Sequence, residues 1–168
     1  DNDIMPWKSS DAFAPDSVAH QGMVYGVQHP FTGEMIYPTA GRHWALGQDQ
    51  VLKIMNEWSQ YEARNISDEE KRAKICGISK DEVRTDVKAL MLTKPLAESM
   101  ADAQARYDAG KWPILCFANR GNSGIRRKTY IDNVGGKLPT NFWPYEEVGH
   151  TDEAKKELKS LFDGSAPF

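Results

Sequence analysis

The residues best suited to chemistry in this sequence form a cluster of cations between residues 111 and 143. This stretch holds six basic residues against one acid, a formal charge of +5, whereas the whole chain of 168 residues carries −3. Within it, the loop 119–124 (Asn-Arg-Gly-Asn-Ser-Gly) runs directly into Ile-Arg-Arg-Lys at 125–128. Loop N–H groups, amide side chains and adjacent cations together favour phosphate as the ligand.

Arginine also forms paired hydrogen bonds with guanine edges, so the cluster suits base reading as well, and the sequence leaves open which residue would do it. The alternative is a solvated strand edge whose charges only discourage aggregation. Small polar side chains crowd the same region, which favours DNA contact over that alternative. The candidate DNA-contacting residues are Arg42, Arg120, Asn122, Ser123, Arg126, Arg127, Lys128, Lys137 and Asn141.

Arg42 belongs to this set because Gly41-Arg-His-Trp44 places a cation beside an imidazole and a large aromatic. Trp44 is interpreted as a core anchor, and His43 has no nucleophile or acid at a recognisable spacing. His150 is a single histidine, so no metal site is predicted. No catalytic residue is predicted. The remaining aromatics considered, namely Trp7, Trp112, Phe142 and Trp143, are expected to pack in the core rather than stack on bases.

Composition limits the kind of protein this is. With 40% hydrophobic residues, the chain can bury one modest core, and a single domain is expected. The two cysteines, at 76 and 116, have no neighbours at metal-ligand spacing, which fits a reducing cytoplasm. No apolar run approaches the length of a membrane span, so no membrane partner is expected.

The local patterns predict an α+β fold, a small mixed sheet of hairpins with flanking helices and a helical insertion. Residues 23–36 predict a hairpin, and 48–58 a helix with one apolar face. Residues 61–110 predict two or three helices, with Val83, Val87, Leu90 and Met91 as an apolar stripe. Strands are predicted at 112–117 and 125–131, and a C-terminal helix at 151–163.

Three segments resemble the modification subunits of bacterial type III restriction-modification systems, which are beta-class site-specific DNA methyltransferases of the adenine-N6 type. They are 1–8 (Asp-Asn-Asp, then Pro-Trp-Lys), 37–44, and 142–158 (Phe-Trp-Pro-Tyr-Glu-Glu-Val-Gly-His-Thr-Asp-Glu-Ala-Lys-Lys-Glu-Leu). The turn and basic strand at 120–130 are also similar, so the likeness covers about 1–58 and 111–162. Residues 61–110 have no counterpart in the commoner members.

The resemblance implies a target-recognition region that binds double-stranded DNA for the remainder of the methyltransferase, with S-adenosylmethionine as the cofactor of the parent enzyme. The family's Asp-Pro-Pro-Tyr and Phe-x-Gly-x-Gly motifs do not occur in the sequence. We therefore expect a fragment that contains no cofactor and is inactive alone, because base extrusion and methyl transfer need that pocket. Cytosine-N4 enzymes share much of the plan, so the target base stays open. The alternative function is a protein-interaction module whose helical insertion docks a restriction subunit.

Overall fold

The computed structural model describes residues 1–121, 123–131, 156 and 160. The chain divides into two compact units, 1–134 and 135–168. Of the second unit, only Lys156 and Ser160 are described, and both have helical backbone. The rest of the predicted C-terminal helix, 151–163, lies outside the described residues.

The first unit combines three helices with three small sheets, which confirms the predicted α+β class. The helices are α1 (Gln48–Met55), α2 (Glu69–Cys76) and α3 (Leu96–Asp108). The strands are β1 (Trp7–Asp11), β2 (Phe13–Pro15), β3 (Val27–Gln28), β4 (Met35–Ile36), β5 (Arg42–Trp44), β6 (Tyr61–Arg64), β7 (Ala89–Leu92), β8 (Leu115–Phe117) and β9 (Ile125–Tyr130). Short 3-10 turns occur at Gln21–Met23, Lys80–Glu82 and Asn119–Gly121.

The sheets bring distant parts of the sequence together. One has the order β1-β9-β8 and is antiparallel throughout, and β2 pairs with β5. The third has the order β4-β3-β7-β6, with β3 and β7 parallel and its other pairs antiparallel. The predicted hairpin is therefore confirmed as β3–β4, with shorter strands than expected.

The interpretation of 61–110 as a helical insertion is wrong in two places. Residues Tyr61–Arg64 and Ala89–Leu92 are strands, and Leu90 pairs with Val27 near the middle of the four-stranded sheet. Leu90 is fully buried. The apolar residues assigned to a helical stripe are thus divided between a loop and a strand, because continuous burial in a sheet gives the same run of apolar residues as one buried helix turn.

Buried aromatics hold the core together. Trp44 and Trp58 are each almost wholly buried, and their indole N–H groups donate to the carbonyls of Tyr25 and Leu115 at 2.9 and 2.8 Å. Phe117 packs edge-on to Trp58 with ring centroids 5.2 Å apart. Burial of an aromatic with its N–H satisfied combines a large apolar area with no lost hydrogen bond. The core therefore fixes β8, and through it the neighbouring strand β9.

Candidate nucleic-acid interface

The register of β9 separates the three adjacent cations that the sequence places together. Successive side chains of a strand point to opposite faces, so Arg126 and Lys128 share one face and Arg127 lies on the other. On β1, Ser9 and Asp11 lie on the face of Arg126, since they pair with Lys128 and Arg126 across the ladder. The three cations that are adjacent in sequence therefore lie on two opposite faces of the sheet.

Lys128 is not available to DNA, because its side chain is buried. The residue is 2% exposed. Its ammonium forms ion pairs with the carboxylates of Asp1 and Asp3, the latter at 3.1 Å, and donates to the carbonyl of Trp112 at 2.7 Å. The ring centroid of Trp7 lies 5.0 Å from the same nitrogen. The prediction of Lys128 as a DNA contact is therefore wrong, since residues at the start of the chain cover and neutralise it.

Tyr130 lies on the same face of β9 as Lys128 and also contacts Asp3. Its hydroxyl donates to Asp3 Oδ2 at 2.7 Å, and this hydrogen bond raises the pKa of Tyr130. The same hydrogen bond, together with Lys128, lowers the pKa of the Asp3 carboxyl below its ordinary value. We use "covered end" for Asp1, Asp3, Trp7, Lys128 and Tyr130.

The opposite end of the same face is open and carries two arginines. Arg126 donates from Nε to Ser9 Oγ at 3.1 Å, and its Nη atoms form no ion pair in the described part of the chain. Arg42 donates from Nη1 to the carboxylate of Asp11, with the two side chains 38% and 39% exposed. We use "open end" for Ser9, Asp11, Arg42 and Arg126. Sequence reasoning found both arginines but not their partners on β1, which no local pattern connects to them.

Arg127 lies on the other face, where it accompanies Lys8, Ser10 and Thr129. The hydroxyls of Ser10 and Thr129 are 2.6 Å apart, and Ser10 Oγ also donates to the Arg127 carbonyl at 3.1 Å. Neither Arg127 nor Lys8 forms an ion pair among the described residues. This face therefore has positive charge but no convergence of side chains.

The loop 119–124 is held against the β3–β4 hairpin by a histidine that the sequence reasoning passed over. The His29 ring accepts the Phe31 N–H at Nδ1 (3.1 Å), so Nε2 carries the hydrogen and donates to the Ser123 carbonyl at 3.1 Å. Burial lowers the pKa of His29, which keeps this ring neutral. Gly121 has φ +82° and lies against the Phe31 ring, where a Cβ would come within 2.7 Å.

The remaining predicted contacts cannot be placed on either face. Asn122, Lys137 and Asn141 lie outside the described residues, as does the side chain of Arg120. Ser123 is half-buried, and its carbonyl points toward His29. Of the nine candidates, the open end therefore brings together Arg42 and Arg126.

The other sequence predictions for this region have mixed outcomes. Trp44 is a core anchor, as predicted. His43 is 7% exposed, and its Nδ1 lies 2.7 Å from the Trp44 carbonyl oxygen. Its ring stacks on His20 with centroids 4.4 Å apart. Trp7 and Trp112 pack edge to face, with centroids 6.4 Å apart. Phe142, Trp143 and His150 lie outside the described residues.

Neither redox nor metal chemistry is indicated in the part of the chain that the structure describes. Cys76 and Cys116 are free and buried, and burial raises the pKa of both thiols. The described residues contain no group of three or more His, Cys, Asp or Glu side chains that could hold a metal ion. Among them there is also no helix long and apolar enough to cross a membrane.

Comparison with known proteins gives no relative. No protein-family model matches the chain, and no match was found among curated proteins or solved structures. The resemblance to type III modification methyltransferases therefore stays a prediction. Its longest segment, 142–158, lies outside the described residues except for Lys156.

Proposed function

We propose that this chain binds double-stranded DNA as the target-recognition region of a bacterial S-adenosylmethionine-dependent adenine-N6 methyltransferase, with the open end facing the duplex. The observation that carries the proposal is that two partly exposed arginines neighbour the same carboxylate, Asp11: Arg42 through an ion pair and Arg126 opposite it in the strand ladder. In a chain of net charge −3, such a local excess of guanidinium groups favours an anionic or acceptor-rich partner.

The position of β1 at the edge of its sheet supports a DNA duplex as that partner. β1 is the edge strand of its sheet and pairs only with β9 among the described strands. β1 and β9 are neighbouring strands at one edge of the three-stranded sheet β1-β9-β8, and the major groove of B-DNA, about 12 Å wide, admits two antiparallel strands. Because β1 has no outer neighbour there, the side chains of Ser9 and Asp11 can approach base edges together with Arg126.

We expect the affinity for DNA to fall less steeply with salt concentration than the six basic residues of the sequence cluster suggest. Burial of Lys128 removes one cation from the surface, and the Asp11 carboxylate offsets part of the charge of Arg42. With about one or two phosphates neutralised, log K should fall with log[salt] at a slope of about −1 to −2. A slope much steeper than this would indicate further cations outside the open end.

Charge reversal at neighbouring positions of one strand tests this assignment. We expect Arg126→Glu to weaken binding to a labelled duplex by about tenfold or more at low salt, because it places an acid beside Asp11. Arg127→Glu makes the same change in net charge on the opposite face and should cost much less. Fluorescence anisotropy titrations measure both, with circular dichroism confirming that the variants are folded.

Two results would reject the proposal. One is the absence of duplex binding by the unaltered chain at low salt. The other is equal losses for Arg126→Glu and Arg127→Glu, which would mean that only net charge matters.

S-adenosylmethionine, implied for the parent enzyme, does not fit the residues described. The family's cofactor motif is absent from the sequence, and the Gly-rich loop at 119–124 has Gly121 packed on the Phe31 ring rather than open to a ligand. We derive no step through this cofactor.

A second candidate function is docking of a restriction subunit, and one observation favours it. Leu96 and Met100 lie one turn apart on α3 and are 41% and 44% exposed, an apolar pair on a solvent-facing side of the helix. Deleting the predicted insertion would not test this, because it would also remove the central strand β7. Met100→Glu is the sharper change, with Ala101→Glu as an exposed control on the same helix. Loss of the mixed assembly in light scattering for the first variant alone would support docking.

A further inference from the structure

The two arginines of the open end are each held by a different neighbour on β1. Ser9 Oγ accepts from Nε of Arg126, and the carboxylate of Asp11 accepts from Nη1 of Arg42. A free arginine side chain loses rotamer entropy when it is fixed, and binding must otherwise overcome that loss. Each of these contacts, which we call a brace, fixes part of an arginine side chain before any ligand binds. The two accepting residues, Ser9 and Asp11, lie two apart on the same face of β1.

Each brace also leaves a defined donor edge free. With Nε of Arg126 engaged, its two Nη atoms remain, and in the described part of the chain they have no partner. Two parallel N–H donors match the O6 and N7 acceptors of guanine in the major groove. Arg42 retains Nε and Nη2 for the same purpose.

Phosphate also offers paired acceptors, but the Asp11 carboxylate makes the open end unfavourable for binding phosphate. Asp11 is opposite Arg126 in the ladder and bonded to Arg42, so a phosphate bound to either arginine would lie near a carboxylate. Like charges at that separation repel. A base edge is neutral, and the N4 amino group of cytosine can donate to a carboxylate. The Arg–Asp–Arg arrangement therefore suits G·C base edges better than the DNA backbone.

We infer that the DNA sequence bound by this chain contains guanine, and that Arg126 reads it with Arg42 beside it. This rests on the proposed function and narrows it, since it names the base and the residues that determine specificity. Arg127, on the other face, takes no part in base reading.

The test combines a conservative substitution with a modified base. A pool of randomised duplexes is first enriched on the unaltered chain, and the consensus is expected to contain at least one fixed guanine. Replacing that guanine with 7-deazaguanine removes the N7 acceptor and should weaken binding by about tenfold. Arg126→Lys keeps the charge but loses the donor fork, so it should bind the natural and modified duplexes equally.

Controls and outcomes separate this inference from the proposed function. Arg127→Lys should keep the full discrimination between the two duplexes. If the unaltered chain enriches no duplex at all, the proposed function fails and the inference fails with it. If it binds DNA but the consensus lacks guanine, or Arg126→Lys discriminates as well as the unaltered chain, DNA binding stands and this inference is overturned, with Arg126 left as a phosphate contact.

Discussion

Lys128 and Arg126 lie two residues apart on the same face of β9, yet only Arg126 is open to a partner. The ammonium of Lys128 has three donors, and Asp1, Asp3 and the Trp112 carbonyl provide three acceptors for it. The guanidinium of Arg126 has five N–H groups, and within the described part of the chain only Nε is engaged, with Ser9. One cation is therefore saturated by the fold, and the other is left with binding capacity.

Lys128 and Arg126 differ in accessibility because other residues cover one end of this face of the β1–β9 pair and not the other. At the covered end, Asp1, Asp3 and the Trp7 ring lie against Lys128, and the Trp112 ring packs on Trp7. At the open end, Ser9 and Asp11 are exposed, and their side chains contact the guanidinium groups of Arg126 and Arg42. Charge in a sequence thus predicts a binding surface only where nothing distant covers it.

Removing the buried cation should give the largest effect of any single change discussed here. Lys128→Met preserves the length and apolar stem of the side chain, but it leaves the Asp1 and Asp3 carboxylates without their partner. Breaking a buried pair in this way typically costs about 3–5 kcal/mol. We expect urea unfolding to show a loss in the free energy of unfolding near the lower part of that range, because Asp3 is 23% exposed.

The matched change at the open end is Arg126→Met, two residues away on the same face. It removes one cation that has no carboxylate partner in the described part of the chain, so its cost should stay within about 1 kcal/mol. Equal losses for the two variants would remove the distinction between the ends.

Acid should weaken the covered end, because protonation of Asp3 removes its ion pair with Lys128. The hydrogen bond from Tyr130 and the ammonium of Lys128 lower the pKa of Asp3 below 3.8. For a carboxyl with a depressed pKa, the stabilisation is fully present above the unfolded value and is lost as the pH falls through the folded one. As the pH falls below about 4, the melting temperature should therefore drop more steeply in the unaltered chain than in Asp3→Asn. The exposed Asp81→Asn serves as the control and should leave the slope unchanged.

Local patterns predicted much of the fold. The β3–β4 hairpin, α1 and strand β9 all lie where turn residues and apolar spacing placed them, and α2 and α3 lie within the stretch predicted to hold two or three helices. Each of these signals acts over a few neighbouring residues. The failure at Ala89–Leu92 has the same origin, because a buried central strand and a helix turn cannot be told apart within four residues.

The site was predicted less well, for a reason of distance along the chain. Arg126 was found because cations are visible in sequence, but its neighbours Ser9 and Asp11 come from more than a hundred residues earlier. The cover over Lys128 comes from the same distant segment. The pairing of β1 with β9 determines both the hydrogen bond from Arg126 to Ser9 and the burial of Lys128. No residue pattern within either strand predicts that pairing.

The smallest change in stability, and the sharpest test of the open end, is expected for Asp11→Asn. An exposed ion pair contributes about 0.2–1 kcal/mol, so the free energy of unfolding should hardly move. The effect on DNA binding should be larger, with opposite changes in the affinity for a random duplex and in the preference for the selected sequence. Removing the carboxylate takes away repulsion toward phosphate, so affinity for a random duplex rises, while Arg42 loses its brace and preference for the selected sequence falls. Both are read from anisotropy titrations on the two duplexes; a parallel fall in both affinities would instead show that Asp11 only maintains the local structure.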